Sequence, residues 1–184
     1  MRILDKRTRI DRRGFLKTSA ATAVAAGAVA GSVVSLAPAP AWAQSMKALT
    51  PEAAGTLLVM ARDLYPHDRL GDSYYEAAVA SMDEAAARDP ATAALLNDGA
   101  AALDGAARRL RQAAYAAIQG EADRVAVLKT LESSPFFQKV RGDMVVALYN
   151  QPEVWRKLGY EGPSADQGGY LHRGFDDIDW LKDA

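Results

Sequence analysis

Apolar residues recur at helical spacing from Ala54 onward, and Ala54, Leu57, Leu58, Ala61, Leu64 and Tyr65 form one stripe that stops at Pro66. Just ahead of that stripe, Thr50-Pro51-Glu52 offers a capping hydroxyl, a proline at the first helical position and an acid in the first turn. Each of these stabilises free amides or the positive end of a helix, so a helix is predicted to start there. A second helix is expected from Asp72, as its cap, to about Arg88, with Tyr75, Val79 and Met82 on one side. Asp89-Pro90 repeats the cap-then-proline signal. It opens a third helix predicted to reach about Gln119, with Leu95, Leu96, Ala102, Leu103, Ala106, Leu110, Ala113 and Ala117 on a small-residue face. Gly99 and Gly105 weaken that helix by up to about 1 kcal/mol each relative to alanine, and a kink or break is expected near Gly99.

Gly120 ends that run, and Glu121 to Leu131 forms a short amphipathic segment with Val125 and Leu128 three residues apart. Ser134-Pro135 caps the next helix, where Phe137, Val140, Met144, Ala147 and Leu148 make the clearest core face of the chain. No comparable alternating run predicts a strand. The expected fold class is therefore all-α: a small irregular helical bundle followed by an aromatic, Gly-rich C-terminal tail. Gly159, Gly162, Pro163, Gly168, Gly169 and Gly174 restrict helix beyond Asn150 to a turn at Pro152 to Leu158. Yet Trp155, Tyr160, Tyr170, Phe175 and Trp180 fall within 26 residues, which is far from the composition of a solvated linker. The tail is expected to dock on its own core, on a partner, or on both.

The N-terminal stretch follows a different pattern. Asp11-Arg12-Arg13-Gly14-Phe15-Leu16-Lys17 places two adjacent arginines before a Phe-Leu pair and a lysine, and Thr18 to Ala37 follow without a charge. Pro38 and Pro40 then lead into Ala41-Trp42-Ala43, a small-x-small cleavage site. The pattern is that of a twin-arginine export signal, with Arg12, Arg13, Phe15, Leu16 and Lys17 as its signal residues and Ala41 and Ala43 as its cleavage residues. About 20 apolar residues are enough to span a bilayer, so an uncleaved anchor is the competing reading. Alanine and glycine make this stretch only mildly apolar, which favours a removable signal. The expected organisation is a signal over residues 1–43, a helical domain over 44–158 and the tail over 159–184. Twin-arginine export moves folded proteins, so the route implies either a cofactor loaded in the cytoplasm or a partner that travels bound to the chain bearing the signal.

Charge and composition narrow those two reasons. Residues 1–43 hold seven of the 22 basic residues and two of the 23 acidic ones, leaving 15 basic against 21 acidic and a net charge of minus six. That balance argues against nucleic acid as a partner. The chain has no cysteine, which excludes a disulfide, an iron–sulfur cluster, a thiolate zinc site and a covalently attached c-type haem within it. There is no Gly-rich turn after a strand, no G-x-S-x-G elbow and no P-loop. Arg108, Arg109 and Arg111 read as the solvated side of an amphipathic helix.

His67 and His172 are the only histidines, and with Asp68, Asp176, Asp177 or Asp179 they are the one set of imidazoles and carboxylates suited to a metal. No metal-ligand spacing links them, and lone histidines ordinarily hydrogen-bond locally. A free-standing exported helical enzyme or binding protein would rest on this His/Asp set. With no cofactor motif in the chain, the partner reading of the export route gains weight.

Three stretches carry a resemblance to a known family. They are Arg12-Arg13-Gly14-Phe15-Leu16, then Leu49-Thr50-Pro51-Glu52 running into Leu64-Tyr65-Pro66-His67, and Leu148-Tyr149-Asn150-Gln151-Pro152 continuing to Trp155-Arg156-Lys157-Leu158-Gly159-Tyr160-Glu161-Gly162-Pro163. In these the chain resembles the gluconate 2-dehydrogenase subunit 3 family, small subunits that accompany flavin oxidoreductases of the glucose-methanol-choline type. The resemblance implies a non-enzymatic accessory subunit with no cofactor of its own. It implies a large partner subunit that binds FAD and oxidises a sugar, sugar acid or alcohol, and a cytochrome c subunit that takes the electrons. It further implies periplasmic residence, with membrane association through the complex, after passage through the twin-arginine translocase. No catalytic residues carry over. Partner contact is expected at Trp155, Tyr160, Tyr170, His172, Arg173, Phe175 and Trp180, since aromatics and arginine are frequent interface anchors. Truncation after Gly162 is expected to preserve folding and abolish partner binding, as read by circular dichroism and co-purification.

Overall fold

The computed structural model describes residues 40–165 and 168–171. All of them fall in one compact unit, Ala37–Ala184. Six α-helices are present among the described residues and no strands: α1 Pro51–Leu64, α2 Asp72–Ala86, α3 Pro90–Arg111, α4 Glu121–Lys129, α5 Pro135–Tyr149 and α6 Pro152–Leu158. Short 3-10 turns at Ala41–Ser45 and Tyr115–Ala117 complete the described elements. The fold is an all-α small bundle.

The helices start where side-chain acceptors meet free amides. Thr50 Oγ1 accepts from the Ala53 amide at 3.1 Å, Asp89 accepts from Ala91 and Thr92 at 3.1 and 3.2 Å, and Ser134 Oγ accepts from Phe137 at 3.2 Å. In each case proline occupies the first turn, where its missing N–H costs nothing. Helix α1 ends at Tyr65, at φ −132°, because the ring of Pro66 disfavours helical geometry in the residue before it. Helix α6 closes on Gly159 at φ 82°, the left-handed C-terminal position that glycine occupies without steric cost.

Helices α1, α2, α3 and α5 form the body of the bundle; every pair among them is in contact, and α2 against α5 is the most extensive pairing. Their buried faces meet in one core that includes Leu57, Met60, Tyr75, Val79, Leu96, Leu103, Val140, Met144 and Leu148. Helix α4 packs on α3 and α1, and α6 packs on α5.

Three boundaries differ from the sequence expectation. Helix α3 stops at Arg111 rather than near Gln119, because Gln112 turns left-handed at φ 57° and the Tyr115 amide donates to Asp104 Oδ1 at 2.9 Å. The Tyr115 ring lies in the core, and Ala102, Leu110 and Ala117, expected on the core face, are exposed. Asp72 is the first residue of α2, and Gly71 is its N-cap. Helix α3 also passes through Gly99 without a break. The reason for glycine there is packing: a Cβ at Gly99 would lie 2.1 Å from Phe136 Cδ2 and 2.7 Å from Phe136 Cβ. Phe136 of α5 sits directly on the α3 backbone at that point.

Gly99→Ala is therefore expected to destabilise the protein by about 1–3 kcal/mol through overpacking, against a gain of about 1 kcal/mol in intrinsic helix propensity. Thermal unfolding checks this, and pairing Gly99→Ala with Phe136→Ala should make the two effects strongly non-additive.

Candidate functional site

Residues 64–67 and 148–160 lie apart in sequence and meet at one end of the bundle. His67, just beyond α1, places Nε2 2.6 Å from the Tyr149 hydroxyl at the end of α5. Tyr149 also packs edge-on against both Tyr65 and His67, with ring centroids 5.9 and 5.6 Å apart. The Trp155 indole N–H donates to the Tyr149 carbonyl, and the Trp155 ring meets Tyr160 edge-on at 5.5 Å. Gln151 ties the same corner to α2 by donating to the Tyr74 carbonyl at 3.0 Å. Burial, and the neighbouring Tyr65, hold the Tyr149 hydroxyl above its ordinary pKa, so it stays protonated.

Arg62 extends this end of the bundle. Its guanidinium lies 4.8 Å from the centre of the Tyr75 ring, pairs with Asp72 at 2.8 Å and donates to the Leu70 carbonyl at 3.2 Å. The Tyr75 hydroxyl donates in turn to the Tyr65 carbonyl at 2.5 Å. This is a network of aromatic edges and satisfied hydrogen bonds, with His67 held by a tyrosine. Among the described residues no three His, Asp or Glu side chains gather as a metal-binding group.

Two carboxylates sit inside the bundle. Asp63 receives a two-pronged ion pair from Arg124 of α4, both bonds at 2.7 Å, and the Tyr115 hydroxyl at 2.5 Å. Burial raises the Tyr115 pKa far above its ordinary value, and the bond to Asp63 raises it further. Arg124's own hydrogen bonds to Asp63 favour its charged form and raise its pKa. Asp83 of α2 accepts the backbone amides of Lys47, Ala48 and Leu49, each at 2.8 Å. Burial works against its charge, but the three amides outweigh burial and hold its carboxyl below the usual range. Asn97 of α3 completes the clamp by donating to the Ala48 carbonyl and accepting from the Thr50 amide, both at 2.9 Å.

Beside this clamp, Ala43 is fully buried and Trp42 is partly buried against the core, within the turn Ala41–Ser45 that packs on α1. Ala41 itself is exposed. Sequence reasoning missed Asp83, Asp63 and Asn97 as structural acceptors. The available signal was an acid at a core position of an amphipathic stripe, since Asp83 follows Val79 and Met82 on the buried side of α2.

Of the expected partner-contact residues, Tyr160 and Tyr170 are about half exposed, at 47% and 52%, while Trp155 is partly buried by its own helix end. His172, Arg173, Phe175 and Trp180 lie outside the described residues, as do Asp176, Asp177 and Asp179 and the signal residues Arg12, Arg13, Phe15, Leu16 and Lys17. The pairing of His67 with His172 in the metal reading therefore falls outside the described residues. On α5, Val145 and Val146 are exposed one turn before Tyr149, and Leu158 of α6 is exposed beside Tyr160 in sequence. Arg108, Arg109 and Arg111 lie on the solvated side of α3, as expected. No described helix is long and apolar enough to cross a membrane.

The fold and these clusters define a small helical bundle with a polar clamp on its N-terminal segment and an aromatic corner at the opposite segment of the chain. Comparison with protein-family models, curated proteins and solved structures finds no match to this chain.

Asp63→Ala leaves the Arg124 guanidinium without its carboxylate and is expected to cost about 3–5 kcal/mol in urea unfolding at pH 7. Asp83 has a lowered folded pKa, so its contribution is present above about pH 4 and lost as pH falls through that lowered value. Asp83→Asn should therefore be less stable than the parent by about 2–3 kcal/mol at pH 7, and the difference should shrink steadily below about pH 4.

Proposed function

We propose that this chain is the non-catalytic small subunit of a periplasmic FAD-dependent sugar, sugar acid or alcohol dehydrogenase, supporting assembly and twin-arginine export of the flavoprotein subunit. The observation that carries this reading is the convergence of Leu64-Tyr65-Pro66-His67 with Tyr149 and Trp155 on one corner, in a part of the chain where α5 and α6 leave apolar side chains in solvent. Val146 of α5 is 65% exposed, and Val145, Leu158 and Tyr160 are each above 40%. Exposed apolar side chains grouped around a rigid aromatic anchor are what a protein partner covers. His67 supports the same reading, because its ring nitrogen Nε2 is engaged by Tyr149 and serves to brace the corner. The flavin and the redox chemistry belong to the partner chain, and the twin-arginine signal on this chain serves both.

The reading is tested by native purification of the C-terminally tagged protein from its own envelope fraction, with co-purified chains read by mass and flavin by absorbance. A flavoprotein partner is expected; colourless, monomeric protein under gentle conditions would sink the proposal. Replacing Arg12 and Arg13 by lysine is expected to strand both chains in the cytoplasm, and normal export of the large chain would exclude the carrier role. Val146→Glu is expected to leave helicity unchanged and to weaken partner retention by about tenfold or more, as for a truncated interface anchor.

A further inference from the structure

Ala41-Trp42-Ala43 is the processing site in the export reading, and the structure places it inside the folded domain. Residues Ala41–Ser45 form a 3-10 turn in which the Ala43 amide donates to the Pro40 carbonyl at 3.0 Å and the Ala43 carbonyl accepts from Met46 at 3.4 Å. The Ser45 hydroxyl donates to the Trp42 carbonyl at 2.7 Å. The Ala43 methyl is fully buried, and Trp42 packs on the core beside it. Immediately downstream, residues 47–50 are held by Asp83 and Asn97, which together take up four backbone amides and one carbonyl.

A protease binds the residues flanking its scissile bond as an extended strand, with their backbone groups paired to the enzyme and alternate side chains in its pockets. The docked turn offers none of this. The Ala43 amide and the Pro40, Trp42 and Ala43 carbonyls are already paired within the turn, and the small side chain that a cleavage pocket must receive is the one buried in the core. Docking of residues 40–46 and cleavage after Ala43 are therefore mutually exclusive. A substrate exported in the folded state meets the peptidase with the turn already docked.

Resting on the export reading above, we infer that the leader-processing site is masked by the domain it precedes, so that cleavage after Ala43 requires undocking of residues 40–46, which Asp83 opposes by anchoring residues 47–49 immediately downstream. The cleavage rate then follows the undocked population. A variant that weakens docking by about 1.4 kcal/mol raises the rate about tenfold. Trp42→Ala is the sharper probe, because it removes packing from the turn and leaves both small residues of the cleavage motif in place.

The test uses the full-length precursor, purified folded in mild detergent, and a bacterial signal peptidase, with the new N-terminus and its rate of appearance read by mass spectrometry. Synthetic peptides spanning residues 30–50, with and without Trp42→Ala, supply the unfolded reference. The expected result is rapid cutting of both peptides after Ala43 and at least about tenfold slower cutting of the folded precursor, with about a tenfold gain in the Trp42→Ala and Asp83→Asn precursors. Circular dichroism establishes that each variant precursor is folded, and Trp42→Ala decides if Asp83→Asn is not. A folded precursor cut as fast as the peptide, or one whose slow cutting neither variant accelerates, overturns the inference. Peptides that are not cut remove Ala43 as a processing site, and the inference with it; the carrier role is tested separately by the arginine variants.

Discussion

A carboxylate at a core position is the constraint on which the N-terminal half of this bundle depends. Asp83 lies on the buried stripe of α2 beside Val79, Met82 and Ala86, where an unpaired charge would be severely destabilising. Three converging backbone amides replace its hydration. The reciprocal consequence is that residues 47–49 adopt the one path that aims three amides at a single carboxylate. That path sets where Thr50 caps α1, and Asn97 fixes the same segment against α3. One buried charge thereby joins α1, α2 and α3 at the end where the chain enters the domain.

The second carboxylate does the corresponding work deeper in the chain. Asp63 of α1 reaches Arg124 of α4 and Tyr115 of the turn before it, so a short helix with only Val127 and Leu128 buried is held by an ion pair as well as by packing. Arg124 uses its remaining donor capacity on the Ile118 carbonyl, which pins the connection between α3 and α4. Partnered this fully, a buried ion pair specifies one arrangement of α1 against α4, whereas apolar contact alone would tolerate sliding. Among the described residues no buried side-chain nitrogen or oxygen lacks a partner.

The opposite corner is built on different physics. Tyr65, His67, Tyr149, Trp155 and Tyr160 meet mainly through aromatic edges, and the polar ends of Tyr65, His67, Tyr149 and Trp155 are directed to a neighbouring carbonyl, hydroxyl or ring. Rigid aromatic packing at the end of α5 leaves Val145 and Val146 in solvent one turn before Tyr149, which is the property the proposed subunit role requires of them. The two ends of the bundle thus differ in kind: a carboxylate and amides hold the N-terminal segment at one, and aromatic edges build the other.

Local chemistry was enough for much of the fold. Thr50-Pro51, Asp89-Pro90 and Ser134-Pro135 each start a helix as their capping groups require. Ala54, Leu57 and Ala61 of the α1 stripe and Phe137, Val140, Met144 and Leu148 of the α5 stripe are buried, whereas Leu58, Leu64, Tyr65 and Ala147 are only partly so. Capping and amphipathic periodicity act over a few residues, so they are legible without knowing what the helix packs against. The unbroken passage through Gly99 and the pairing of His67 with Tyr149 were not legible, because each is decided by a group far along the chain. The end of α3 was not legible either, because it turns on a left-handed Gln112 and on Asp104 accepting from Tyr115, which no terminating glycine or proline announces. Asp83 is the plainest case. Its sequence neighbours mark it only as an acid on an apolar stripe, and what makes it tolerable is backbone from residues 34 to 36 positions earlier. The sequence by itself determined that the chain is helical and where most helices begin, since those signals are local. Only the tertiary structure decided which polar groups are buried, what satisfies them, and which apolar side chains stay in solvent, since burial is a property of long-range packing.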